Sequence, residues 1–96
     1  MSIRKREIPV KMYKVVLSNK VIKEIDKLPE DIFQKVDKVI QDLKLDPRPV
    51  GSIKLTGSEG YRIKVSRYRI LYTIEKKKKE IRIYGVLHRK DAYKKK

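Results

Sequence analysis

The sequence predicts an α+β fold: an N-terminal strand, a two-helix hairpin, then a three-stranded antiparallel meander, with the helices packed on one face of a mostly antiparallel sheet. Three observations carry this expectation. Apolar residues recur at helical spacing from about residue 19 to residue 44, with one break at Pro29. Beyond residue 60 the pattern becomes strand-like, in runs of β-branched and aromatic residues. Short, turn-rich links join those runs and leave no room for the crossover helices that a parallel sheet needs.

Residues 1–11 alternate charges with few large apolar groups and contain Pro9, which reads as a loose basic arm ahead of a single domain at 12–96. Tyr13, Val15, Val16 and Leu17 make the first short strand. Ser18 or Asn19 supplies an oxygen for a free amide at a helix start. Val21, Ile22, Ile25 and Leu28 then form one helical stripe. Pro29 ends that helix and opens the next, where Glu30 and Asp31 suit the N-terminal dipole. Ile32, Phe33, Val36, Val39, Ile40 and Leu43 continue the period to about Lys44. Pro47, Pro49 and Gly51 mark a loop, and residues 56–60 a second turn-rich link. The hairpin at 61–72 follows, its second arm apolar enough to suggest cover on both faces. Lys76, Lys77, Lys78 and Lys79 form a polar tip before the last strand, where Gly85 suggests a bulge or close approach.

Charge narrows the function. The chain has 27 Lys and Arg against 12 Asp and Glu, a formal balance of +15. Lysine outruns glutamate too far for a heat-adapted surface, so a polyanionic partner is expected, nucleic acid first. The absence of cysteine excludes disulfides and thiolate chemistry. A single histidine leaves neither a His-based metal site nor a Ser-His-Asp constellation, and no glycine loop for nucleotides is present. No metal and no cofactor is therefore expected. No apolar run has the length of a membrane span and no secretion signal is visible, so the expectation is a soluble, cytoplasmic protein without membrane contact.

The candidate chemistry is cationic. Tyr61, Ile63 and Val65 alternate with Arg62, Lys64 and Ser66, which gives one apolar and one basic face. Arg69 joins Arg62 and Lys64 if it opens the paired strand on that face. The last strand delivers His88, Arg89 and Tyr93 nearby, and Lys54 and Arg67 extend the basic surface. Guanidinium forks match phosphate oxygens, and a tyrosine ring offers a stacking surface. Each residue also has an ordinary reading: a solvated strand face for Arg62 and Lys64, a partner for Glu75 in Arg69, a surface hydrogen bonder in His88, a seal on the sheet edge in Tyr93.

The order of a short strand, a helical hairpin, "YRIKVSRYRILYTIE", a charged turn, a further strand and a terminal "HRKDAY" resembles the RelE/ParE toxin superfamily of type II toxin–antitoxin systems. The resemblance covers roughly residues 12–93; Leu87 departs from it, standing where relatives often have glycine. Its RelE branch implies a ribosome-dependent endoribonuclease, an mRNA interferase that stops translation by metal-free 2′-hydroxyl attack on the adjacent phosphate. By motif it implies Lys64 as general base, Arg69 and Arg89 on the developing phosphorane, Arg62 assisting, and Tyr93 stacking on or orienting the nucleotide. The proton for the leaving 5′-oxygen would come from Arg89 or His88. The resemblance further implies a cognate acidic, RelB-like antitoxin and a toxin–antitoxin hetero-oligomer. Two rival readings stay open: a ParE-like inhibitor of DNA gyrase, and an RNA-binding module without catalysis.

Overall fold

A computed structural model describes residues 12–57 and 59–92; the basic arm at 1–11 lies outside them. The first strand, β1 (Lys14–Leu17), runs into Ser18, whose Oγ accepts the Val21 amide at 3.2 Å and caps α1 (Asn19–Asp26). Capping satisfies an amide that has no partner within the helix. Pro29 stands at the start of α2 (Glu30–Leu45), with Glu30 and Asp31 in its first turn. The Tyr13 amide donates to the Lys44 carbonyl at 2.7 Å, so the entry to β1 is tied to the end of α2.

Four strands follow: β2 (Ser52–Lys54), β3 (Gly60–Val65), β4 (Tyr68–Glu75) and β5 (Glu80–His88), then a short helix α3 (Arg89–Ala92). The sheet order is β1-β5-β4-β3-β2, with β1 parallel to β5 and every other pair antiparallel. The predicted meander is therefore present, and β2 and α3 are additions to it. Ser52, Ile53 and Lys54 escape sequence reading because three residues of mixed polarity carry no period, and Ile53 is itself exposed.

The core lies between the helices and one face of the sheet. Val21, Ile32, Val36, Ile40 and Leu43 pack against Ile63, Val65, Ile70, Tyr72, Ile81, Ile83 and Val86. Ile22 and Phe33, though on the apolar stripes, sit at their margins and stay exposed. The opposite face carries no layer among the described residues, so β4 is covered on one face rather than two. Leu71, on the open face, is only half-buried.

One irregularity sets the faces of β5. Leu71 pairs with Gly85, but the next residue, Tyr72, pairs with Ile83, which leaves Tyr84 as the extra residue of a β-bulge. The bulge reverses the alternation, so Val86 enters the core and Leu87 joins the open face. A Cβ on Gly85 would lie 3.3 Å from Leu71 Cδ1, a tight contact that the leucine side chain would have to shift slightly to admit. Past the bulge, β5 has outrun β1, which ends opposite Ile83. Glu24 Oε1 of α1 accepts the Val86 amide at 2.9 Å and takes the place of the missing strand.

Candidate functional site

The β3–β4 hairpin turns through Ser66 and Arg67 alone, and Ser66 takes the left-handed conformation at φ 57. So tight a turn fixes the register: Lys64 pairs with Arg69, and Arg62 with Leu71. Both pairs have their side chains on the open face, so Arg69 does join Arg62 and Lys64. Glu75 is at the far end of β4, about 20 Å along the strand, and is not the partner of Arg69.

Among the described residues Arg69 is the one buried charged residue, with 6% of its surface exposed although it lies on the open face. Its Nη1 donates to the Ser66 carbonyl at 3.2 Å and to the Tyr68 carbonyl at 2.9 Å. The guanidinium is thereby folded back over the turn and fixed. Arg62, Lys64 and Arg69 line a cavity of about 320 Å³ whose remaining wall is Gly51 and Ile53. Sequence reading missed those two; the only signal was the glycine closing the proline-rich loop, where φ is +99°.

That wall is held from behind. Tyr72, fully buried, donates its hydroxyl to the Pro47 carbonyl at 2.7 Å and stacks on Tyr61 with centroids 5.6 Å apart. Burial, foremost, pushes the Tyr72 phenol up to about 12. Arg48 Nη1 donates to the Tyr61 hydroxyl at 3.2 Å, so two tyrosines pin the loop that carries Gly51.

The other sequence candidates do not line this cavity. Arg89 opens α3, and its amide donates to the Arg67 carbonyl at 2.7 Å, which places it at the tip of the hairpin. Lys54 pairs with Tyr61 and sets its Nζ 5.5 Å from that ring, on the helix side of the sheet. His88 pairs with Tyr68 and also faces the helix side. It shares a separate cavity of about 350 Å³ with Asp31, Ser66, Arg67 and Tyr68. Neither Lys54 nor His88 meets Arg62, Lys64 and Arg69: the parity of the strands, and for His88 the bulge, turns them away. Tyr93 lies outside the described residues. Among the described residues, no three His, Cys, Asp or Glu side chains are grouped as metal ligands.

The sequence pattern of the ParE toxin of type II toxin–antitoxin systems matches residues 15–93, which include both arms of the hairpin and Arg89. The chain belongs to this toxin family. Within the wider RelE/ParE superfamily it stands on the RelE branch. The RelE1 protein of Methanocaldococcus jannaschii is 29% identical over 86 residues, covering 85% of this chain and 96% of that one. The RelE–RelB complex of Pyrococcus horikoshii matches with a TM-score of 0.74 and 27% identity, over 81% of this chain and 96% of that one. The isolated RelE toxin of E. coli matches at 0.71 and 25%, over 79% and 83%. This RelE-like toxin thus presents a fixed guanidinium, an exposed lysine and a second arginine in one concave, open-faced site. Among the described residues no helix is long and apolar enough to cross a membrane.

Proposed function

We propose that this RelE-like toxin is a ribosome-dependent mRNA endoribonuclease that works without a metal. The observation that carries the reading is the Lys64–Arg69 pair, set directly across the hairpin with Arg62 beside it in one cavity. Lys64 takes the proton of the 2′-hydroxyl, whose oxygen attacks the adjacent phosphorus. Arg69, held by two carbonyls, and Arg89, at the hairpin tip, neutralise the charge that grows on the phosphorane. Arg89 protonates the departing 5′-oxygen, and the products are a 2′,3′-cyclic phosphate and a 5′-hydroxyl. Tyr93, outside the described residues, keeps the role the family resemblance implies, stacking on or orienting the nucleotide. The need for a 2′-hydroxyl restricts the cut to RNA. The ribosome supplies in-line geometry, which is worth several kcal/mol by positioning alone, roughly.

An acidic antitoxin of RelB type is the proposed inhibitor. It answers the +15 charge, and half-buried Leu71 on the open face gives it an apolar contact beside the cations. Cytoplasmic residence follows from this substrate and partner.

The match to the ParE pattern favours one second reading, inhibition of DNA gyrase. One experiment separates them: end-labelled mRNA on programmed ribosomes, free mRNA, and a gyrase supercoiling assay. Cuts on the ribosome that vanish in Lys64→Ala support the nuclease. Loss of supercoiling without cuts establishes the gyrase reading, and RNA binding with neither activity establishes a binding module.

A further inference from the structure

We infer that His88 is a positioning residue for Arg89, acting through the first turn of α3. The inference rests on the reading of Arg89 as a phosphate-contacting group. His88 itself is on the helix side of the sheet, away from Arg62, Lys64 and Arg69, so it reaches RNA only through what it holds. What it holds is the start of α3. Its Nδ1 accepts the Lys90 amide at 3.2 Å, as an N-cap side chain does for the second residue of a helix. A first helical turn leaves its amides without partners inside the helix, so its start depends on such tethers. The second tether is the Arg89 amide on the Arg67 carbonyl, at 2.7 Å. Together the two bonds fix the backbone on both sides of the Arg89 Cα.

The ring is placed to serve this purpose. Tyr68 packs against it edge-on, with centroids 5.4 Å apart and planes at 73°. An Nδ1 that accepts an amide carries no proton, so the neutral ring holds its proton on Nε2. The same cavity wall holds Asp31 of α2 and Arg67 of the hairpin.

The test compares the wild-type toxin with His88→Ala and His88→Asn on ribosome-bound mRNA. Asparagine offers a cap oxygen in place of the imidazole nitrogen. The expected result is an approximately tenfold slower cut by His88→Ala, from the loss of one cap. His88→Asn should recover most of that rate. A His88→Ala variant as fast as wild type overturns the inference, as does a His88→Asn variant as slow as His88→Ala. A second readout is independent of cleavage: hydrogen exchange of the Lys90 amide should be protected in wild type and His88→Asn, and unprotected in His88→Ala. If no form cuts RNA but the amide follows this pattern, the nuclease reading fails and the cap stands. If the amide is unprotected in wild type, the cap fails whatever the cleavage.

Discussion

Lys64 and Arg69 face each other directly across the β3–β4 hairpin, two cations in the position where sheets usually place complementary groups. Like charges so placed cost roughly 0.2–1 kcal/mol, so the pair is held at the expense of stability. Lys64→Gln is expected to raise the melting temperature of the isolated toxin by about 2–4 °C. The same change should slow ribosome-dependent cleavage by about 10²–10⁴-fold. Calorimetry and a cleavage assay on one preparation check both; a drop in both would make Lys64 a structural residue.

Arg69 is a different case, because its guanidinium also braces the turn through the Ser66 and Tyr68 carbonyls. Arg69→Lys keeps the charge but not the fork, and should cost about 1–2 kcal/mol in urea unfolding. Cleavage should fall by at least about tenfold. Unchanged unfolding would show that the two carbonyl bonds contribute nothing to the hairpin.

Tyr72 links stability to pH. Its phenol is raised from 10.0 to about 12 in the folded chain, so between those values the unfolded chain has released a proton that the folded one keeps. The contribution is full below about pH 10 and is lost as pH rises toward 12, at most about 2–3 kcal/mol. Tyr72→Phe should be about 1 kcal/mol less stable at neutral pH, through loss of the Pro47 bond. Its stability should also decline less steeply above pH 10. Parallel alkaline slopes for the two proteins would contradict this account.

Glu24 stands in for a strand by accepting the Val86 amide. Glu24→Ala should cost about 1–2 kcal/mol and remove exchange protection at Val86, whereas Glu24→Gln should retain most of both. Lys20, which pairs with the other Glu24 oxygen at 3.2 Å from an exposed position, should matter little when replaced by alanine. Amide exchange with mass or NMR detection reads these three variants directly.

Much of this architecture is legible in the residues. The alternation of Tyr61, Ile63 and Val65 with Arg62 and Lys64 fixes two faces. The short turn at Ser66 and Arg67 then carries Arg69 onto the basic one. The helices follow from their stripes, to within a residue of the observed end of α2. His88 illustrates what alternation cannot give. Counting from Ile81 and Ile83 in twos places His88 on the open face, among the cations. The extra residue at Tyr84 shifts the count by one and sends it to the other side. Gly85 hints at a bulge but does not say how many residues it absorbs. The strand at Ser52–Lys54 is missed for a simpler reason: it pairs with the very next strand, but three residues of mixed polarity show no period.

The parallel pairing of β1 with β5 carries a consequence for how the toxin comes into being. β5 lies between β1 and β4, so the first strand of the chain has no neighbour in the sheet until residues 80–88 have been made. The closing contact spans more than sixty residues, a connection that forms late because its loop entropy must be met first. The hairpin with Lys64 and Arg69 therefore leaves the ribosome before the strand that supports it and before Arg89. On this topology a chain interrupted before Glu80 holds the Lys64–Arg69 hairpin without the strand that joins it to β1.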